Sequence, residues 1–551
     1  MRRSTAVPPS LTQPLLTALL LAAVGCSSNE ECSFRQSRAP GMGGPGCDGP
    51  DAGSAAEDGS LPAGRDLGGK GPGPRDGGND GGPADVGGKG EPELGPAPDA
   101  GEEPLRSGVG PRPLPPTFIP LELERFPRPA AEACRGNRNR VRVAVGQSIA
   151  RAVAAAPPGT TIWIEPGSYT EAGATAIEWE TDRLCLRAAD GGEVVLQATP
   201  GQRHGISPQG DDAVLEGFTL RGFTSSIGLW QGGGRTQQRV TIERVRVEQP
   251  AGPFGEGIVA YGDNRDVAGT PPVVDGLLLL DVAVEGTDMG ISCNHGPCAH
   301  WWVERTSVTG RRGAGSSGAD TLAVENGRQI VVVDSVFANA DADGIDVKGS
   351  EVVVLGALVK EMGRNGIKLW QGGDVIDTIV DGTGADAAIT GARAARYRYL
   401  HVLVTRHGTP QDHQYVGTWA YDHPSPELQL EIVNCIFYRN ATGGLFVPAG
   451  SSLSIRHTLF DDPQAKLIDA GGQLTLRVAQ LDQLEANGWG NDNLVGDPRF
   501  IDVAQGQFAT LPDSPARDAA EPVEGLERDF SGAPRLAGNG PDIGPVESPV
   551  P

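Results

Sequence analysis

The stretch "DADGIDVKGSEVVVLGALVKEMGRNGIKLW" (341–370) contains one short pattern twice. When the glycines are aligned, "DGIDVK" (343–348) lies over "NGIKLW" (365–370), an offset of 22 residues. Alternate side chains of a strand face opposite sides, and one side is apolar in both copies: Ile345, Val347, Ile367 and Leu369. Asp346 and Lys368 then occupy equivalent positions on the other side. The spacing predicts coils stacked strand on strand, with these two residues as direct neighbours.

Strand starts of the same kind recur over most of the chain. They include "HGIS" at 204, "EGIVAY" at 256, "MGISC" at 289 and "GGLFV" at 443, with alternating apolar strands such as "RVTIERVRV" (239–247) between them. The Gly-Ile pairs are separated by one or more turns with a period in the low twenties. No long helical pattern interrupts them. The sequence therefore predicts an all-β solenoid of parallel coils.

The segment "QSIARAVAAAPPGTTIWIEPG" (147–167) gives the solenoid a beginning. It predicts a short amphipathic helix with Ile149 and Val153 on its apolar side, a Pro-Pro-Gly stop and a first strand. This segment resembles the N-terminal cap and first coil of right-handed parallel β-helix proteins of the pectate-lyase type. The resemblance implies a right-handed parallel β-helix over residues 117–490, with the helix covering its open end.

The N-terminus has the features of an export signal. Arg2 and Arg3 precede an apolar run from Leu15 to Val24 that is too short to span a membrane. The run "AVGC" resembles the lipobox of bacterial lipoproteins, which implies a signal peptide over 1–25 and a lipid on Cys26; an ordinary secretory signal is the alternative. We expect an extracytoplasmic protein, lipid-anchored at the outer membrane or cell surface of a bacterium, or secreted. Membrane contact would be through the lipid only.

Two segments flank the solenoid. Residues 26–116 are rich in Gly, Pro and Asp and carry almost no large apolar side chains, so they predict a disordered tether. Residues 491–551, with "RDFSGAPRLAGNGPDIGPVE", resemble the terminal segment of many bacterial extracellular β-helix proteins. We expect this part to close the last coil, whose edge could otherwise pair with other molecules.

Charge and cysteine content narrow the classes of partner. The net charge is -24 and the pI is near 4.8, which argues against a nucleic-acid partner and favours divalent cations. Eight cysteines in an exported chain suggest disulfides. Cys293 could pair with Cys298 and Cys134 with Cys185, but the sequence leaves the connectivity open. We expect a monomer.

The preceding coil adds acidic residues to the pair at Asp346 and Lys368. Aligning "ADTLAVE" (319–325) places Asp320 beside Asp343 and Glu325 beside Lys348. One interpretation is structural: the Asp-Gly pairs serve turns, and Asp346 with Lys368 is an exposed ion pair contributing less than about 1 kcal/mol. The other is a calcium site of carboxylates beside a lysine that acts as a base, a role that suits lysine better than arginine.

The same residues are similar to polysaccharide lyase family nine, pectate-lyase-like β-helix enzymes with an Asp-Asp-Gly-x-Asp calcium motif and a catalytic lysine in an Asn-Gly-aromatic-Lys-Leu strand. The match covers about 320–370. Ala342 stands where the motif has its first aspartate, and Asp341 would replace it. The resemblance implies β-elimination on an acidic polysaccharide, a uronate polymer. It assigns a set of site residues: Asp320, Asp343, Asp346 and Asp341 for Ca²⁺, and Lys368 in "NGIKL" for the base.

Substrate contacts and other functions stay open. Lys348 and Trp370 adjoin the base, and residues 397–423 combine aromatic and histidine side chains, including Tyr415 and Trp419, that could form a sugar-stacking surface or a packed loop. Asp320, Asp343 and Asp346 could alternatively serve a metal-independent glycoside hydrolase as acid and base. From a different class, a non-catalytic protein that binds glycans or surface partners along the solenoid remains an alternative.

Overall fold

The structure, a computed structural model, describes residues 111–549 with gaps. The gaps are 115–122, 130–133, 135, 232–234, 249, 251–254, 263–269, 295, 314–318, 385–386, 392, 394, 409–418, 421–427, 441–443, 449, 470–473 and 537. All described residues belong to one compact unit, Leu105–Pro551. The predicted signal peptide, the predicted lipid attachment site Cys26 and nearly all of the predicted tether lie outside the described residues. No helix in the described part is long and apolar enough to cross a membrane.

Each coil contributes one strand to each of three stacks, and neighbouring strands within a stack are parallel. Strands are numbered in chain order. The first stack contains β5 (Thr175–Trp179), β8 (His204–Pro208), β11 (Ser225–Gln231), β14 (Glu256–Gly262), β17 (Met289–Asn294), the first parts of β20 (Leu322–Val333) and β22 (Ile345–Leu355), β24 (Ile367–Leu369), β27 (Ile389–Gly391), β30 (Trp419–Ala420), β33 (Leu445–Phe446) and β36 (Lys466–Asp469).

The second stack continues from the first after a bend. It contains β2 (Asn139–Val143), β3 (Thr160–Ile164), β6 (Cys185–Ala188), β9 (Val214–Glu216), β12 (Gln237–Glu243), β15 (Val274–Leu280), β18 (Cys298–Glu304), the second parts of β20 and β22, β25 (Gly373–Ile376), β28 (Arg396–Leu400), β31 (Gln429–Val433) and β34 (Ser452–Arg456). Two short strands pair with β34 at its outer edge: β1 (Arg112–Pro113) and β38 (Gly490–Asn491).

The third stack forms a separate sheet and completes each coil. It contains β4 (Gly167–Tyr169), β7 (Val194–Gln197), β10 (Phe218–Arg221), β13 (Arg246–Glu248), β16 (Ala283–Thr287), β19 (Ser307–Gly310), β21 (Val336–Ala338), β23 (Leu358–Lys360), β26 (Ile379–Asp381), β29 (Leu403–Thr405), β32 (Ile436–Tyr438), β35 (Leu459–Phe460) and β39 (Leu494–Val495). The remaining strands are antiparallel: β37 (Thr475–Arg477) on β36, and β40 (Phe500–Asp502) with β41 (Gln507–Thr510).

This arrangement is the right-handed parallel β-helix that the sequence predicts. Its interior is one continuous apolar core to which every coil contributes Val, Ile and Leu side chains. The helix α1 (Ile149–Ala154) begins at Ser148, whose side chain accepts a hydrogen bond from the N–H of Arg151. Ile149 and Val153 are both buried in the core, so the predicted capping helix is confirmed. A second helix, α2 (Leu481–Ala486), and 3-10 turns at Leu123–Arg125, Val478–Gln480 and Val503–Gln505 complete the elements.

Both disulfides considered from the sequence are present. Cys134 is bonded to Cys185, and Cys293 to Cys298. Cys435 is free and buried. The first bond ties the segment before β2 to the second stack.

The folded part begins earlier than the sequence suggested. We expected the tether to reach residue 116, but residues 112–113 form β1 on the last coil of the second stack. The N–H groups of Arg112 and Leu114 donate to the carbonyls of Ser451 and Leu453. The extended, proline-rich composition that indicates disorder also suits a strand at a sheet edge, because proline is tolerated there.

The C-terminal segment has two parts. Residues 490–495 supply the last strands of two stacks, β38 and β39. Beyond them the chain folds back along the outer face of the third stack, where Phe508, Ala516 and Ile543 pack on Ile379 and Leu403. Only the first part therefore closes the last coil, and the rest covers a flank, because the third stack carries apolar side chains on its outer face as well.

Arg535 attaches this segment to the β-helix. Its buried guanidinium bonds to the carboxylate of Asp377, which lies in the bend between β25 and β26. It also donates to the carboxylate of Glu547 at 3.0 Å. Burial raises the pKa of Asp377 well above its usual range, although the charge of Arg535 opposes this shift. One cation shared by two buried carboxylates thus adds to the apolar packing of this segment on the β-helix.

We predict that Arg535→Ala lowers the free energy of unfolding by about 3–5 kcal/mol, because it leaves Asp377 and Glu547 buried without their partner. Urea unfolding of the full chain measures the change. Arg528→Ala is the matched control, since the side chain of Arg528 is exposed and donates to the nearby carbonyl of Gly532. Equal urea midpoints for the two variants would contradict the assignment.

Candidate functional site

The predicted neighbours lie side by side on the outer face of the first stack. Asp346 in β22 pairs in register with Lys368 in β24, as the 22-residue offset predicts. Ala323 precedes them in β20 and Thr390 follows them in β27. The alternate residues are fully buried in the core, as predicted: Ile345, Val347, Ile367 and Leu369.

A second row lies where the chain enters these strands. The N–H of Asp343 donates to Oδ1 of Asp320 at 2.8 Å. Oδ1 of Asp343 in turn accepts two hydrogen bonds from Asn365, one from its N–H and one from its side-chain amide, both at 2.9 Å. The hydroxyl of Thr390 donates to Oδ1 of Asn365 at 2.9 Å. The carboxylate of Asp343 is therefore held in one orientation by a buried amide that is itself fixed.

The third row contains the second lysine and the tryptophan. Nζ of Lys348 lies 2.5 Å from the carboxylate of Glu325, as the alignment of coils predicts. The indole N–H of Trp370 donates to Oδ1 of Asp346 at 2.8 Å. Its ring lies under two ammonium groups, with Nζ of Lys348 at 5.5 Å and Nζ of Lys368 at 5.0 Å from the centroid. Trp370 therefore contacts Asp346 through its indole N–H and both lysines through the face of its ring.

Lys368 lies at the centre of the patch. Its Nζ is 4.0 Å from Oδ2 of Asp343, and its side chain is only 12% exposed. Asp343 and Asp346 are 2% and 7% exposed. The structural interpretation, a solvent-exposed ion pair of small energy, is therefore wrong for this pair: the outward face is covered at this point, and its charges are largely removed from water.

Burial of several carboxylates together shifts their protonation. Desolvation and the charge of Asp343 raise the pKa of Asp320 to about 7. Desolvation and the charge of Asp343 also raise the pKa of Asp346 to about 6, although both lysines oppose the shift. Burial would lower the pKa of Lys348, but its hydrogen bond to Glu325 and the charge of Asp346 outweigh burial and raise it. The patch therefore has an unfavourable excess of buried negative charge.

The described residues do not contain a formed metal site. Within the described ranges, no group of three or more His, Cys, Asp or Glu side chains is arranged to hold a metal ion. Oδ1 of Asp341, the predicted substitute ligand, accepts a hydrogen bond from the N–H of Gly313 at 2.7 Å. Ala342, at the position of the missing motif aspartate, is buried.

The aromatic segment 397–423 is not one surface. Tyr397 and Tyr399, at 0% and 2% exposure, are buried in the core, so for these two rings the packed alternative holds and the sugar-stacking alternative does not. Both belong to β28. His401 and His407 are buried too. Tyr415 and the side chain of Trp419 lie outside the described residues.

Sequence reasoning missed three members of the site. Asn365 and Thr390 fix Asp343, and the guanidinium of Arg393 lies 5.8 Å from the centroid of the Trp370 ring. Asn365 could have been found, because it lies 22 residues after Asp343, the same offset that pairs Asp346 with Lys368. Arg393 lies beyond the end of β27 and has no such signal.

Known proteins similar to this chain are found among solved structures. No protein-family model matches the sequence, and no curated protein matches it. Solved structures with a similar fold include pectate lyase Pel9A, with 14% identity and a TM-score of 0.38 over 75% of this chain and 97% of that chain. A mannuronic acid specific polysaccharide family 6 lyase from human gut microbiota has 12% identity and a TM-score of 0.34 over 68% and 92% of the two chains. The A-module of the Azotobacter vinelandii mannuronan C-5 epimerase AlgE4 has 12% identity and a TM-score of 0.29 over 63% and 89%.

Proposed function

We propose that the chain is a calcium-dependent polysaccharide lyase that cleaves a polyuronate by β-elimination, with Lys368 as the base. The observation that carries the proposal is the position of Lys368: a lysine with little exposure, 4.0 Å from the carboxylate of Asp343 and beside Asp346. Burying charges of both signs costs stability, and a functional role accounts for residues that retain this cost. The resemblance of "NGIKL" to the lysine strand of family nine lyases supports the same assignment.

The chemistry of the donor set fits calcium. Asp320, Asp343 and Asp346 supply hard carboxylate oxygens, which calcium prefers, and their mutual repulsion would be relieved by a divalent cation. Each of them uses Oδ1 to accept a protein hydrogen bond. Since they do not yet form a metal site, these three side chains must come closer together to hold one ion.

Lys368 would carry out the proton transfer. Bound calcium would supply positive charge that stabilises the negative charge developing beside the sugar carboxylate. Lys368, as the neutral amine, takes the proton from the carbon next to that carboxylate. The electron pair of the broken C–H bond forms a carbon–carbon double bond, the bond to the leaving sugar oxygen breaks, and that oxygen takes a proton from solvent. Trp370 and Lys348 would contact the substrate beside the base, and Tyr415 and Trp419 remain proposed contacts.

A metal-independent glycoside hydrolase is the second candidate, and one observation favours it. Without a bound cation, the raised pKa of Asp320, about 7, would keep its carboxyl protonated near neutral pH, as a general acid requires. A hydrolase would release saturated products, and a chelator would not slow it. A lyase would release products with the ultraviolet absorbance of a new double bond.

We also propose that the chain is exported and anchored through a lipid on Cys26. The two disulfides support export, because such bonds persist in oxidising compartments. Mass spectrometry of the N-terminal peptide from the native host would detect the lipid, and a peptide that begins before Cys26 would count against it.

We predict that Lys368→Ala lowers turnover on the polyuronate by at least about 100-fold, because it removes the base. Lys368→Arg should fail as well, since guanidinium does not lose its proton at working pH. Product absorbance on pectate, alginate and glycosaminoglycans, with calcium and then with chelator, measures the rate. Lys360→Ala is the control, because Lys360 lies in β23 of the third stack. Full activity in Lys368→Ala would end the proposal of lysine catalysis.

We predict that calcium binds more tightly as pH rises from 5.5 to 8. Asp320 and Asp346 hold protons below about pH 7 and about pH 6, and calcium must displace them. By the same linkage, protonation favours the folded state: without calcium this stabilisation is lost as pH rises through 6 to 7, and calcium should restore it at pH 8. Calorimetric titration and melting curves at both pH values measure binding.

The double variant Asp320→Asn, Asp346→Asn tests whether these two carboxyl groups cause both the calcium binding and the pH dependence of stability. It keeps both acceptor positions but removes these two titrating groups, so it should not bind calcium and should lose less stability than the wild type between pH 5.5 and 8. Equal calcium affinity of the wild type at the two pH values would argue against a site formed by these carboxylates.

We predict that Asn365→Ala lowers turnover and calcium affinity about 10–100-fold, as expected when the partner of a ligand is removed. Thr390→Val should have a smaller effect in the same direction, because Asn365 keeps its own bonds to Asp343. The control is Thr383→Val, a buried threonine that bonds to His407 instead. If Asn365→Ala and Thr383→Val have the same kinetics, orientation of Asp343 is not needed.

A further inference from the structure

The C-terminal edge of the β-helix is occupied by the chain's own N-terminal segment. The N–H of Arg112 donates to the carbonyl of Ser451 at 2.5 Å, and the N–H of Leu114 donates to that of Leu453 at 2.9 Å. Strand β38 pairs with the other half of β34, from Ile455 onward. Strand β1 therefore fills the part of the last edge that β38 leaves unpaired.

Prolines alternate with the two residues that donate. The sequence reads Pro111, Arg112, Pro113, Leu114, and backbone groups of alternate residues in a strand point to opposite sides. The residues whose N–H groups would point away from β34 are thus the prolines, which have none. Strand β1 bonds to the β-helix on one side and offers no N–H donor on the other.

The chain that follows this strand is attached to the same β-helix at three points. Phe126 packs on the outer face of the second stack in a cluster that includes Val433 of β31, the neighbour of β34. Farther along, Arg128 forms an ion pair with Glu304 at 3.0 Å, and the disulfide at Cys134 follows.

We propose that residues 111–114 are a one-sided cap strand that keeps the chain monomeric: they occupy the C-terminal edge in cis, and their prolines deny an outward edge to a second copy. Open strand edges template addition of further strands, and a solenoid is especially exposed to this at its ends. Proline at an edge is an effective block to strand addition. This role does not depend on the proposed enzymatic activity.

Docking in cis is tested first, with a disulfide. Arg112 and Ser452 are register partners, so Arg112→Cys with Ser452→Cys in the full chain should form an intrachain bond under mild oxidation. Arg112→Cys with Gln429→Cys is the control: Gln429 pairs with Ser452 from the far side, two strand spacings from Arg112, which is too far for a disulfide. Peptide mapping by mass spectrometry identifies the bond. An interchain bond, or no bond, would overturn docking in cis.

The role of the prolines is tested by restoring the outward donors. Pro111→Val with Pro113→Val should convert the monomer to concentration-dependent oligomers in sedimentation velocity. The control is Pro127→Val with Pro129→Val, which changes an identical Pro-Arg-Pro tripeptide of the same segment outside any strand. Both variants should retain the wild-type melting transition. We expect the wild type and the control to stay monomeric.

Leu114→Pro supplies an independent arm, because it removes an inward donor and so releases the cap. It should self-associate through the opened edge of β34, and it should become cleavable by protease near residue 114. A Pro111→Val, Pro113→Val protein that is folded and monomeric at every concentration, or a wild type that already self-associates, would overturn the capping role. If the double variant does not fold, a monomeric Leu114→Pro protein overturns it equally.

Discussion

The register of parallel hydrogen bonds between successive coils is the constraint on which the rest of the structure depends. It places each residue beside its equivalent one coil away, so a 22-residue spacing becomes a contact between Asp346 and Lys368. The same ladder stacks Val and Ile side chains of successive coils on one another in the apolar interior. Shifting one strand by a residue would exchange the core and the site in a single step. The same register therefore sets both the packing of the core and the geometry of the site.

The outer face of this register holds charges that a purely structural face would leave in water. Asp320, Asp343 and Asp346 repel one another in a poorly solvated place, and one lysine, Lys368, lies among them. The hydrogen bonds from Asn365 and Trp370 reduce the cost of burial but do not remove the repulsion. A proton or a bound cation would relieve the repulsion in such an arrangement. Apolar residues would be more stable at these positions, so retention of the charges indicates that they have a function. This is why the patch is better explained by chemistry than by packing.

The sequence predicted what repeats and missed what does not. The coil, the capping helix and the pairing of Asp346 with Lys368 follow from local pattern and period, and so did the position of Asn365, although it was not recognised. Burial of the patch could not be read from single strands, because it depends on contacts between side chains of successive coils, such as those of Trp370 with Asp346 and Lys368. The sequence left open whether the rings of Tyr397 and Tyr399 pack in the core or form a surface, because composition alone does not decide which face of a strand is inward. The contact of Arg112 with Ser451 joins residues far apart in the chain and has no period to reveal it.

That long-range contact changes the physical character of the solenoid. A simple stack of coils is held by nearest-neighbour interactions, so either end can fray independently of the rest. Here the chain pairs with the last coil at Arg112, packs on the middle of the second stack at Phe126 and is bonded to the third strand of that stack at Cys185. Fraying of the last coil must then also release a segment that is covalently held near the first. The two ends therefore share one cooperative unit, and the coils between them, including those that carry the patch of buried charge, are held against fraying from either end.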